Sequence, residues 1–360
     1  MGYLRKNIEA MTAYTPGEQP QGDARVTKLN TNENPYPPSP RVLEALRALD
    51  PERLRKYPDP MANKVRDLVA RRFGVGREQV LCANGSDELL RMVVTAFVGE
   101  GETVAYPVPT YSLYPVLAAV AGARAMEIPS PEDFSLPADA LAKAKARLLF
   151  LCNPNAPTGV WTEPEVVARL ADRFKGVVVV DEAYADFGPG SGIPVYKGTR
   201  NILVFRTLSK SYSLAGLRFG FAVGPEPLIT GLAKVKDSYN CDAVSIELAA
   251  AALADEAHMR AGVEKICAER RRLAERLAAL GFGVTPSEAN FLLARAPDGE
   301  AQGWYEALKA RGILVRYWKG PRLDDKLRIT VGTPEENDRL LAALEACPRR
   351  REASRKEKRA

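Results

Sequence analysis

The chain has a single histidine, His258, in 360 residues. That scarcity argues against Ser-His-Asp catalysis and against histidine-based metal sites, and leaves lysine as the obvious group for proton transfer near neutral pH. Cysteine is scarce too. The five, at 82, 152, 241, 267 and 347, show no short metal-binding spacing, and an odd, scattered set fits reduced thiols in a cytosol. No apolar run approaches the length needed to cross a bilayer. Residues 1–10 are charged and hold no apolar core, so no leader peptide is expected. No Gly-Lys dipeptide occurs anywhere, which removes the Gly-x-x-x-x-Gly-Lys-Ser/Thr loop of a nucleotide hydrolase. Charge of one sign is lacking over the body of the chain. The formal charge is +6, but seven Lys/Arg and two Glu in 349–360 supply most of it. The remainder shows no excess that would suggest nucleic acid. The basic tail is expected to be a solvated terminus.

What is present is enough for a large core: 46% of residues are hydrophobic. Residues 1–35 are expected to form an irregular arm without helix, broken by Pro16, Pro20 and Pro35. From 80 onward, apolar strand-like runs (80–83, 103–106, 124–128, 148–152, 177–180, 201–206, 219–223) alternate with helical stretches. Such runs, four consecutive valines at 177–180 among them, are the mark of strands buried on both faces in a mostly parallel sheet. After 223 the pattern is helical, then two or three strand-like segments (291–294, 313–317, 327–331) appear among helices. The expected fold is α/β: an arm at 1–35, a large domain at 36–245 with a mostly parallel sheet flanked by helices, a smaller α+β domain at 246–348, and a disordered tail at 349–360.

The chemistry-bearing residues fall at the ends of these runs. Thr207-Leu208-Ser209-Lys210 joins two strand-like segments and is followed by Arg218. A lysine in a partly desolvated crevice can form a Schiff base with an aldehyde. Hydroxyls and a guanidinium, as at Thr207, Ser209 and Arg218, suit a phosphate. Alone, Lys210 would read as a solvated loop lysine; its partners elsewhere change that. Asn84-Gly85-Ser86-Asp87-Glu88 leads from a strand into a helix, which makes either an anion site or a plain N-cap. The valine run ends in Asp181-Glu182, a shape shared with the Walker-B strand of ATPases, which the missing Gly-Lys loop argues against. Pro109-Thr110-Tyr111 and the turn-forming 153–159 follow two further strands. Arg316 and Arg328 stand in strand-like segments, where an arginine wants an anion, from substrate or from an internal ion pair.

Over about 11–344 these motifs resemble the fold-type-I pyridoxal-phosphate (PLP) aminotransferases, and most closely the histidinol-phosphate aminotransferase branch. The resemblance implies that Lys210 carries PLP, that Asp181 pairs with the pyridine nitrogen and keeps it protonated, and that Tyr184 reaches the ring's phenolic oxygen. It implies that Tyr111 stacks on the ring, and that Gly85, Ser86 and Asp87 hold the cofactor phosphate together with Thr207, Ser209 and Arg218. Ala156 stands where the family has an asparagine before Pro157-Thr158-Gly159, leaving Asn155 or Asn153 to bond the ring oxygen. Tyr57 is implied to reach the cofactor phosphate of a partner subunit, hence a homodimer. Arg316 and Arg328 are implied to bind the substrate phosphate, and Tyr14 with the run 29–35 to form an arm closing over it. The expected activity is amino transfer between histidinol phosphate and 2-oxoglutarate in histidine biosynthesis, in the cytoplasm, with small molecules rather than nucleic acid or membrane as partners. An aromatic amino-acid aminotransferase and a threonine-phosphate decarboxylase would share the scaffold; a nucleotide hydrolase is the reading from another class.

Overall fold

Seven strands form the central sheet, in the order Val80–Ala83, Gly220–Val223, Ile202–Thr207, Val177–Asp181, Leu148–Cys152, Thr103–Val108, Arg124–Pro129. Only Gly220–Val223 runs against its neighbours; the rest are mutually parallel. The inner runs are buried as expected, every residue of Leu148–Cys152 and Ile202–Thr207 included, but Arg124–Pro129 is an edge strand and is largely exposed. The computed structural model describes residues 2–20 and 26–347. The basic tail at 349–360 lies outside the described residues.

Three features differ from the sequence expectation. The arm carries a short helix, Lys6–Ala10. Its prolines begin only at Pro16, and Arg5 and Asn7 donate to Val120 and Ala119 carbonyls at 2.9 and 2.8 Å. These carbonyls belong to the last turn of the Leu113–Ala121 helix, where Ala119 O also accepts from the Gly122 N–H of the C-cap at 3.0 Å. Secondly, part of the arm belongs to the small domain. Thr27–Lys28 pairs in parallel with Ile313–Leu314, and Leu29 is buried in the small-domain core with Leu273 and Ile329. Thirdly, the expected strand at 313–317 is two strands. The chain leaves Ile313–Leu314 and, after the buried Val315, joins a second sheet as Arg316–Tyr317. That antiparallel sheet has four strands, ordered Arg316–Tyr317, Lys326–Thr330, Phe291–Arg295, Gly283–Val284.

The long helix Glu256–Ala279 spans the two bodies. Its Met259, Val263 and Ile266 enter the large core, and its Leu273 and Leu277 the small one. The preceding helix, Ala243–Leu253, packs on Pro40–Arg47 and Asn63–Phe73, so the large body runs past residue 245 into the first half of the long helix.

Candidate active site

The carboxyl ends of the parallel strands converge on one cleft, as open α/β sheets place their ligand sites. Asp181 ends Val177–Asp181 and Thr207 ends Ile202–Thr207. Lys210 follows in a turn closed by the Leu208 N–H donating to Phe219 O at 3.0 Å. Ser86 opens the helix Ser86–Phe97 just beyond Val80–Ala83, and Tyr111 lies just beyond Thr103–Val108. The small sheet closes the other side with Arg316 and Arg328, around a volume of about 330 Å³.

Lys210 Nζ donates to Thr31 O at 3.1 Å and lies 5.8 Å from the Tyr184 ring centroid. Burial, and then the nearby Arg328 guanidinium, push its pKa down to about 8. The amine is therefore substantially neutral at mildly alkaline pH, as a nucleophile or base must be. Asp181 is 3% exposed. One oxygen accepts from the Ala183 N–H at 3.2 Å and the other from the Tyr114 hydroxyl at 3.2 Å. Burial nevertheless pushes its pKa up to about 7. A cation beside it would relieve that cost. The Tyr184 hydroxyl accepts from Asn32 Nδ2 at 3.0 Å, which leaves its own proton for a partner in the cleft, and burial keeps that proton on.

At the other end of the cleft the groups suit an anion. Ser86 begins a twelve-residue helix, whose first N–H groups lack helical acceptors. Thr207 and Ser209 hydroxyls lie 2.9 Å apart, and Arg218 reaches Ser209 Oγ at 3.5 Å and Asp87 at 3.2 Å. Gly85 has φ +82°, a left-handed conformation that favours glycine, and a Cβ there would push the Arg218 guanidinium, 2.9 Å away, aside.

The family model for aminotransferases of class I and II matches residues 24–344. The chain belongs to this family. Over 342 residues it is 48% identical to histidinol-phosphate aminotransferase 1 of Nostoc sp., covering 95% of this chain and 97% of the relative. It is 44% identical to histidinol-phosphate aminotransferase of Syntrophotalea carbinolica, covering 96% and 99%. Among solved structures, it superposes on histidinol-phosphate aminotransferase from Sinorhizobium meliloti in complex with pyridoxal-5'-phosphate with a TM-score of 0.87. The identity there is 25%, and 96% of this chain and 97% of that chain are covered.

In this aminotransferase the cleft brings together Tyr14, Ser86, Asp87, Tyr111, Asp181, Tyr184, Thr207, Ser209, Lys210, Arg218, Arg316 and Arg328. Four expected residues do not line it. Gly85 lies behind Arg218. Asn155 has turned into its own loop: its Oδ1 accepts from Thr110 at 2.8 Å and its Nδ2 donates to Pro109 O and Thr158 Oγ1. Asn153 is likewise bonded to Thr162 at both ends, so neither amide is free for a ring oxygen, and Ala156 occupies the cleft wall instead. Tyr57 stands away from the cleft, 81% exposed and stacked on Tyr239 at 4.4 Å.

Two functional side chains escaped the sequence reading. Tyr114 is fully buried, stacked on Phe150 at 4.5 Å with Tyr111 edge-on at 5.6 Å, and it holds Asp181. Its signal is a hydroxyl among the apolar residues of Leu113–Ala121. Trp318 lies 5.2 Å from the guanidinium carbons of both Arg316 and Arg328. Its signal is strand alternation, which points residues two apart the same way.

Proposed function

We propose that this aminotransferase transfers the amino group of histidinol phosphate to 2-oxoglutarate with pyridoxal 5'-phosphate, as a cytoplasmic homodimer in histidine biosynthesis. The observation that carries the reading is the pair of arginines across the cleft from Lys210. Arg328 Nε is buried without a partner among the described residues, a donor suited to an anion. Relatives that are histidinol-phosphate aminotransferases, 44% and 48% identical over nearly the whole chain, support the same substrate.

The residues present fit the cofactor. The buried carboxyl of Asp181 wants a cation, as a pyridinium is; the Ser86 helix start with Thr207, Ser209 and Arg218 suits its phosphate; and Lys210 offers a part-neutral amine. Pyridoxal phosphate, when bound, supplies an aldehyde for amine exchange and an electron-withdrawing ring that acidifies the donor's α-carbon. The chain's own groups do the rest. Lys210 Nζ takes the proton from the α-carbon and returns one in the reverse half-reaction. Asp181, held by Tyr114 and Ala183, presents its carboxylate to the cofactor ring, whose positive charge favours the ionised form. Tyr184 Oη donates a hydrogen bond into the cleft. Arg316 and Arg328 bind the donor's phosphate, and the dianionic 2-oxoglutarate uses the same pair in the second half-reaction. Tyr14 and the arm segment beside it shield the cleft from water.

A panel of amino donors mixed with the PLP-loaded protein tests this reading. Histidinol phosphate is expected to bleach the yellow absorbance most efficiently, and 2-oxoglutarate to restore it. If phenylalanine bleaches it better than histidinol phosphate, the aromatic aminotransferase reading replaces this one; a protein that takes up no PLP ends both.

A further inference from the structure

Behind the cleft a buried ion triad connects the residue after Asp181 to the residue after Lys210. Arg206, 4% exposed, lies between two carboxylates: Nη1 is 3.1 Å from Glu182 Oε2 and Nη2 is 2.5 Å from Asp186 Oδ1. Glu182, which follows Asp181, is 2% exposed and also accepts from Ser191 Oγ at 2.5 Å and the Gly192 N–H at 2.7 Å. The second oxygen of Asp186 accepts from Ser211 Oγ at 2.5 Å, and Ser211 follows Lys210. Strand pairing builds the same link, since Asp181 is in register with Phe205 and so Glu182 comes beside Arg206.

A buried ion group of this kind is commonly no more stabilising than an apolar cluster of the same volume. Stability is thus a weak reason for Arg206 to be here, and its connectivity offers a better one. We propose that Arg206, through Asp186 and Glu182, is a positioning residue for the reaction described above, fixing the Lys210 turn relative to Asp181. One guanidinium ties together two chain segments that reach the cleft from different strands. The Ser211 hydroxyl is the last link, and Asn34 Nδ2 braces the same turn from the other side by donating to Lys210 O at 3.0 Å. Lysine amine and carboxylate are then held at a set separation before any ligand arrives, which is the preorganisation that catalysis rewards.

The inference rests on the PLP reading, and the parent protein serves as its control. Replacing Arg206 would strand two buried carboxylates and test folding as much as function. Ser211→Ala instead removes one hydroxyl and leaves both ion pairs, and Ser211→Thr keeps the hydroxyl. Three quantities are read: the affinity of the cofactor-free protein for PLP, followed by absorbance; kcat and KM for the amino donor; and the melting temperature of the cofactor-free protein. For Ser211→Ala, PLP affinity and kcat are each expected to fall about tenfold, the size of one hydrogen bond to a charged group. KM is expected to change by no more than about twofold, because the substrate contacts are untouched. Ser211→Thr is expected to restore both losses. Parental PLP affinity and kcat in Ser211→Ala overturn the proposal, and so does a fall in melting temperature with kcat intact, which would make the triad purely structural. A parent that binds no PLP overturns the functional reading together with the inference; a parent that binds PLP and transaminates beside an unaffected variant overturns the inference alone.

Discussion

Arg316 and Arg328 stand directly opposite each other in the antiparallel pairing of Arg316–Tyr317 with Lys326–Thr330. Like charges in that relation repel across a sheet. Burial, with the neighbouring Arg316 adding to it, holds the Arg328 pKa below its ordinary value. Trp318 lies against both guanidiniums, but an indole face offers only a weak counter-charge. Two cations held together, with no carboxylate between them among the described residues, make a site that is completed by an anionic ligand.

Truncation of either arginine should therefore weaken every dianionic substrate. For Arg328→Ala and Arg316→Ala, kcat/KM for histidinol phosphate and for 2-oxoglutarate is expected to fall roughly tenfold or more, from about 1–3 kcal/mol of charge-assisted bonding. Phenylalanine, with its single α-carboxylate, should lose less at one of the two positions. Arg316 also donates to the Thr15 and Pro16 carbonyls at 3.0 and 3.1 Å, so its loss frees the arm as well. Steady-state kinetics with the three substrates check this; an unaffected histidinol phosphate would remove the pair from the phosphate site.

Cofactor capture should depend on pH through two groups. Lys210 must be neutral to attack an aldehyde, and its pKa in the folded protein is pushed down to about 8. Asp181 must be ionised to pair with a pyridinium, and its pKa is pushed up to about 7. The rate at which the cofactor-free protein takes up PLP is thus expected to rise through pH 7–8 and level off above. Stability of the cofactor-free fold follows the same linkage with a worked sign. Between about 8 and the ordinary lysine value of 10.5 the unfolded chain holds more protons at Lys210 than the native one, so this group's contribution rises with pH there. Stopped-flow absorbance and pH-dependent melting provide the measurements; a rate that is flat from pH 6 to 9 contradicts the assignment.

Tyr114→Phe removes one hydroxyl and keeps the stack on Phe150. The hydrogen bond to Asp181 favours the ionised carboxylate, so its loss should move the acidic limb of the activity profile upward by about one pH unit. The expected fall in kcat is about fivefold at pH 7, shrinking at higher pH. A variant with the parental profile would leave Tyr114 a packing residue only.

The exposed position of Tyr57 leads to a test of shared sites. Lys210→Ala subunits should be inactive yet folded, and Tyr57→Ala subunits strongly impaired. When the two are mixed and allowed to exchange, one of the hybrid dimer's sites regains both residues, and activity should recover in part. Exchange verified by native mass spectrometry, with no recovery, would show that Tyr57 does not serve a partner's site.

Much of this protein can be read along the chain. The valine run ending in Asp181, the Gly85–Ser86 helix start and the Thr207–Lys210 turn each combine a local pattern with a local chemistry, so short stretches suffice to place strands, helix starts and the groups at their ends. What only the tertiary structure decided depends on contacts between distant segments. Asn155 was expected in the cleft, but hydrogen bonds to Thr110 and Pro109, more than forty positions away in the chain, draw its amide into the loop. The start of the chain was expected to be irregular, yet Arg5 and Asn7 donate to carbonyls at the end of a helix more than a hundred residues on. Arg316 and Arg328 were each legible as anion-seeking residues. That they face one another follows from strand register, which is set by the pairing of whole segments and not by either arginine's neighbours. The Arg206 triad is of the same kind. Its members look like an ordinary mix of strand and loop charges until the parallel pairing of Val177–Asp181 with Ile202–Thr207 brings Glu182 beside Arg206 and buries both.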